Sequence, residues 1–139
     1  MSVSIYCQAH INGDDQQLSV KDILNSFGTF VKNITLNGFD VVYDEMNSSH
    51  VSIDQENTTC SNFSVNRPCG EKRLYEAIYN CMNLGNVICY TSDGDKFLVI
   101  NTATIDHIPT DMKNVINSEA CQLITAHSGK ELYDKMFYA

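Results

Sequence analysis

Hydrophobic residues in this chain recur with a period that switches repeatedly between two and about 3.6 residues, and the switches fall at turn chemistry. This pattern restricts the fold more than any bulk property, because a face repeating at one period cannot be buried by an element of the other. Val3, Ile5, Cys7, Ala9 and Ile11 alternate with polar neighbours and predict a strand, and Asn12-Gly13-Asp14-Asp15 predicts a turn. Ser19 then stands as a helix N-cap with Asp22 at N3, and Leu18 and Ile23 have the spacing of a hydrophobic staple. From there Val20, Ile23, Leu24, Phe27, Phe30, Val31 and Ile34 trace one amphipathic stripe, weakened at Gly28 and ended at Asn37-Gly38.

Residues 39–46 and 50–55 read as paired strands joined by Asn47-Ser48-Ser49, with a third strand near Ser61–Val65. Arg67-Pro68-Cys69-Gly70 breaks the pattern, and a helix is predicted from Glu71 to Leu84 on the stripe Leu74, Ala77, Ile78, Cys81 and Met82. Tyr75 and Tyr79 lie off that stripe, where exposed tyrosines can anchor an interface. Val87–Tyr90 and Phe97–Ile100 form a hairpin about Ser92-Asp93-Gly94-Asp95. A short helix over Pro109–Ile116, a strand over Cys121–Ala126 and a terminal helix capped by Ser128 complete the reading. The order β-α-β-β-β-α-β-β-α-β-α predicts one α+β domain over residues 1–139, with a mostly antiparallel sheet of about five or six strands and three or four helices.

A chain of 139 residues, 43% hydrophobic and 19% charged, can bury one core and is not disordered in composition. No apolar run nears the ~20 residues that cross a membrane. The first eleven residues lack a basic segment and a continuous apolar run, so they predict a strand and not a secretory leader. Six cysteines without export, in a core that needs no staples, predict reduced thiols and a cytoplasmic protein.

Charge is distributed unevenly. Residues 1–66 hold eight acidic side chains against two basic ones, and no Lys or Arg lies between Lys32 and Arg67. If Phe39, Val41 and Tyr43 face the core, alternation turns Asp40 and Asp44 outward; if Val51 and Ile53 do, it turns Asp54 and Glu56 outward. These four carboxylates are therefore expected on one negative face without a cation beside it. A solvated face is the plain reading of such a run, and a docking surface for a basic protein is the sharper one. Direct nucleic-acid binding is not expected, since it needs a basic stripe.

Catalytic and metal signatures are weak. Cys69 precedes a predicted helix N-terminus with Lys72 and Arg73 in the next turn, but its base would have to be one of the scattered residues His10, His50, His107 and His127. Cys7 and His10 are three apart on a strand and point to opposite faces, and the other cysteine spacings fit no zinc site. No phosphate-binding loop, dinucleotide fingerprint or nucleophile elbow is present. The expectation is a non-enzymatic binding protein without cofactor or metal, with a basic protein as partner. Its concrete form is an immunity protein that neutralises a toxin domain, such as a nuclease, in interbacterial competition. The alternatives are a cysteine-dependent enzyme using Cys69 and a structural or adaptor subunit.

Overall fold

The computed structural model describes residues 3–92, 94, 96–118 and 121–137. Its elements in chain order begin with β1 (Ser4–Ile11), β2 (Asp14–Asp15), β3 (Leu18–Ser19), α1 (Val20–Phe27), β4 (Val31–Thr35), β5 (Gly38–Val42) and β6 (Ser48–Ser52). There follow β7 (Thr59–Cys60), β8 (Asn62–Asn66), α2 (Lys72–Met82), β9 (Val87–Thr91), β10 (Lys96–Val99), α3 (Thr110–Ile116), β11 (Gln122–Thr125) and α4 (Gly129–Phe137). Among the described residues nine strands join one sheet in the order β11-β10-β9-β1-β8-β6-β5-β4, with β2 on β1, while β3 and β7 pair separately. The sheet is larger than the five or six strands expected, and the α+β class holds. Pairing is antiparallel except between β10 and β11.

Strict alternation decides what each sheet face does. Ile5 and Cys7 on β1, Phe63 and Val65 on β8, Val51 on β6 and Phe39 and Val41 on β5 all point to one side, each at most 3% exposed. There they pack with Ile23 and Phe27 of α1, Leu74 and Ile78 of α2 and Leu132 of α4 in a single core. A second, smaller core lies on the opposite face at one end, where Ile88, Phe97 and Val99 meet Ile108 and Ile116 around α3. The sheet is thus covered on both faces at its β9–β10–β11 end and beside His10 of β1, and on one face across β8, β6 and β5, while edge strand β4 is largely exposed.

The first helix is shorter than its stripe predicts. Ser19 accepts the Asp22 N–H at 3.2 Å as expected, but the helix stops where Gly28 adopts φ 68° and ψ −146°. One 3-10 turn over Gly28–Phe30 follows, and Val31–Thr35 becomes β4. Valine, isoleucine and threonine in this stretch suit an extended backbone, so the stripe beyond Phe27 reads equally as a strand. Phe30 stacks on Tyr43 at 4.7 Å, and Asn37-Gly38 joins β4 to β5 without ending a helix.

Helix α4 corrects a second expectation. Ser128 accepts the Glu131 N–H at 3.1 Å and caps it, and a Cβ on Gly129 would stand 2.7 Å from the Glu76 backbone, so α4 approaches α2 closely. That approach covers Tyr75, which is 1% exposed and rests 4.6 Å from the Tyr133 ring and 6.0 Å from that of Phe137. In the β9–β10 turn Gly94 donates its N–H to Thr91 at 3.1 Å; Asp93 and Asp95, and also Tyr138, lie outside the described residues. No described helix is long and apolar enough to cross a membrane.

Candidate functional site

Among the described residues no helix lies over the side of β8, β6 and β5 turned away from the main core or over the Tyr6 end of β1, while α3 borders the His10 end of β1, and register aligns the polar residues in rows. Ser64 is opposite both Tyr6 and Ser52, and Ser52 is opposite Gly38. In the neighbouring row Asn66 stands beside His50, His50 beside Asp40 and Asp40 beside Lys32. Hydrogen bonds tie the rows together. Asn66 donates to Ser52 Oγ at 2.7 Å and accepts from Ser4 at 3.2 Å, and Gln8 donates to the Tyr90 hydroxyl at 2.9 Å. Asp40 is gripped by His50 Nδ1 at 2.9 Å and by the Asn33 amide at 2.9 Å. These contacts, that of His50 foremost, hold the Asp40 carboxyl below the usual carboxylate range.

Among the described residues, two depressions lie on this face away from α3. The first, about 340 Å³, is walled by Tyr6, Gln8, Asn37, Ser52, Asn62 and Ser64, and among the described residues Asp54 is the one charged residue lining it. Asp54 Oδ1 accepts the Glu56 N–H at 2.9 Å, which fixes the carboxylate in an Asx turn. The second, about 440 Å³, brings Asp40 and His50 together with Asn66 and Arg67.

The four carboxylates expected together are therefore not one patch. Asp40 lies mid-face, with Lys32 in register and Arg67 on the same wall, which corrects the expectation of a face free of cations. Asp44 occupies the β5–β6 turn, where it accepts the N–H groups of Met46 at 2.8 Å and Asn47 at 2.9 Å. The Asn47 side chain chiefly holds it below the usual range, and the nearby Arg73 adds to this. Arg73 itself pairs with Glu71 at 2.7 Å and lies over the rings of Phe30 at 4.8 Å and Tyr43 at 5.1 Å. Asp54 and Glu56 follow the far end of β6, on the order of 20 Å from Asp44 at about 3.3 Å per strand residue. Lys32 comes from β4, a segment whose stripe reads as helix, and Arg67 and Arg73 come from beyond β8 and from α2, so the alternation around Asp40 and Asp44 announced none of them.

Cys69 is half-buried. Its N–H donates to Ser49 Oγ at 2.9 Å and its carbonyl accepts from the Tyr75 hydroxyl at 2.9 Å. The depression beside it is lined by Pro68, Gly70, Tyr75, Tyr133 and Phe137, none of them a base for a thiol. Among the described residues no three His, Cys, Asp or Glu side chains converge as metal ligands. The residues that sequence reasoning passed over are Tyr6, Gln8, Asn62, Ser64 and Asn66. Their signal was the polar phase of each alternating strand, but nothing local told which strands would lie side by side.

Comparison with protein families, with characterised proteins and with solved structures finds no match. The site is read from its own chemistry.

Proposed function

We propose that this chain is a cytoplasmic, non-enzymatic binding protein that docks a basic protein on the uncovered part of its sheet, as an immunity protein restrains a toxin domain such as a nuclease. The observation that carries the reading is the polar face stitched by cross-strand hydrogen bonds and ending in a socket whose charged wall residue is Asp54. Side chains already held by one another lose little freedom when a partner arrives, so the face is preorganised. A Lys or Arg of the partner fits the Asp54 socket, where Ser52, Asn62 and Ser64 can accept its remaining N–H groups. Glu56 adds charge at that end, while Asp40 with His50 offers an oriented acceptor pair at the other. The formal net charge of −8 draws a basic partner in and makes association fastest at low salt.

The test uses the tagged chain as bait in a lysate of the cells that make it. At low salt it retains a basic protein in stoichiometric amount, and adding the chain to that purified protein suppresses its activity. The Asp54→Asn/Glu56→Gln chain retains it at least about tenfold less well, the effect of losing a charge-assisted contact. Equal capture by both chains, or capture indifferent to salt, contradicts the reading.

A further inference from the structure

The thiols of Cys7 and Cys89 face each other inside the main core, and the docking reading makes no use of them. The two residues are direct partners in the β1–β9 ladder. Position in that ladder matters, because antiparallel pairs alternate between hydrogen-bonded and non-hydrogen-bonded. His10 donates its N–H to Asn86 at 3.1 Å, and Ser92 donates to Ser4 at 2.9 Å. Counting inward from either end, Gln8/Ile88 and Tyr6/Tyr90 are hydrogen-bonded pairs, and Cys7/Cys89 is a non-hydrogen-bonded one. In such pairs the Cα atoms stand about 4.5 Å apart, a separation that a disulfide spans. The sulfurs lie 2.9 Å apart. The third thiol of the region, Cys81, is directed toward the Ile23 carbonyl at 4.0 Å.

Burial decides when these thiols can react. Cys7 is 1% exposed and Cys89 is fully enclosed, so no oxidant reaches them in the folded chain. Burial also pushes the Cys7 thiol well above its ordinary pKa, which removes the thiolate that exchange requires.

We infer that Cys7 and Cys89 form an oxidative modification site whose state is set while the chain folds and is then sealed by the core. The oxidant is a low-molecular-weight disulfide. One cysteine thiolate attacks it and forms a mixed disulfide, releasing one small thiol. The other cysteine displaces the second small thiol and closes the cross-strand bond. Two electrons pass from the cysteines to the small disulfide, and the two protons end on the two thiols released. In a reducing compartment the pair folds as a dithiol and stays one. In an oxidising medium unfolding exposes it, and refolding locks β1 to β9.

Refolding the reduced, denatured chain in glutathione and glutathione disulfide, followed by alkylation and peptide mapping, tests this. The expected product carries Cys7 bonded to Cys89, melts about 10 °C above the dithiol form because a long loop is closed, and resists dithiothreitol until denaturant is added. The folded dithiol form, given the same oxidant, keeps both thiols reduced. A different dominant pairing, an oxidised chain that fails to regain the native circular dichroism, or ready oxidation of this pair in the folded chain overturns the inference.

Discussion

His10 is 6% exposed, and among the described residues neither of its ring nitrogens has a hydrogen-bond partner. It belongs to the sheet face that α3 partly covers, among Gln8, Tyr90, Phe97 and Met112. Burial holds its pKa below the ordinary histidine value, against an opposing pull from Asp15. Since the folded pKa is the lower one, the unfolded chain takes up this proton first as the solution is acidified. Stability from this source is therefore whole above about pH 6.5 and declines below it. His10→Leu removes both the proton uptake and two unpaired polar atoms, so it flattens the decline and stabilises the fold by roughly 1–2 kcal/mol near pH 6. Urea unfolding of both chains across that range measures the two slopes; parallel slopes contradict the assignment. Arg73 shows the same dependence on surroundings with opposite chemistry: its charge is shared with Glu71 and two aromatic rings. A count of residue types could register that cation but not where it is spent.

At the scale of elements, the end of α1 turns on a single backbone conformation. Gly28 at φ 68° and ψ −146° occupies a region that side chains with a Cβ avoid. Gly28→Ala costs about 1–3 kcal/mol there, although it raises helix propensity, and lowers the melting temperature. A more stable variant with extra helical circular dichroism would mean that the helix runs on toward Ile34. Where period and cap agreed, elements were legible in the chain: β1 from its alternation, the start of α1 from Ser19, α2 from its stripe, α4 from Ser128. The junction after Phe27 was not, because Phe30, Val31 and Ile34 satisfy a helical stripe while Val31–Thr35 also favours extended backbone. Tyr75 escaped for a different reason. A single stripe describes one buried face, whereas α2 is covered by the sheet on one side and by α4 on another.

For the whole molecule, the decisive asymmetry is that helices cover one face of the sheet except at edge strand β4, and the other only near α3. Alternation made the outward direction of Asp40 legible, and Asp54 stands exposed beyond β6. It could not supply Lys32 beside Asp40, because Val31–Thr35 reads as the continuation of a helix, nor Arg67, which long-range pairing of β8 with β6 brings there. A basic partner therefore meets not a continuous negative face but the Asp54–Glu56 end and the hydrogen-bonded polar rows. Mapping amide NMR shifts of the chain on addition of its captured basic partner tests the docking account most directly. The account predicts the largest changes at Tyr6, Gln8, Ser52, Asp54, Asn62 and Ser64, with α1, α2 and α4 unmoved. Changes concentrated on those three helices, with the uncovered strands unaffected, would contradict it.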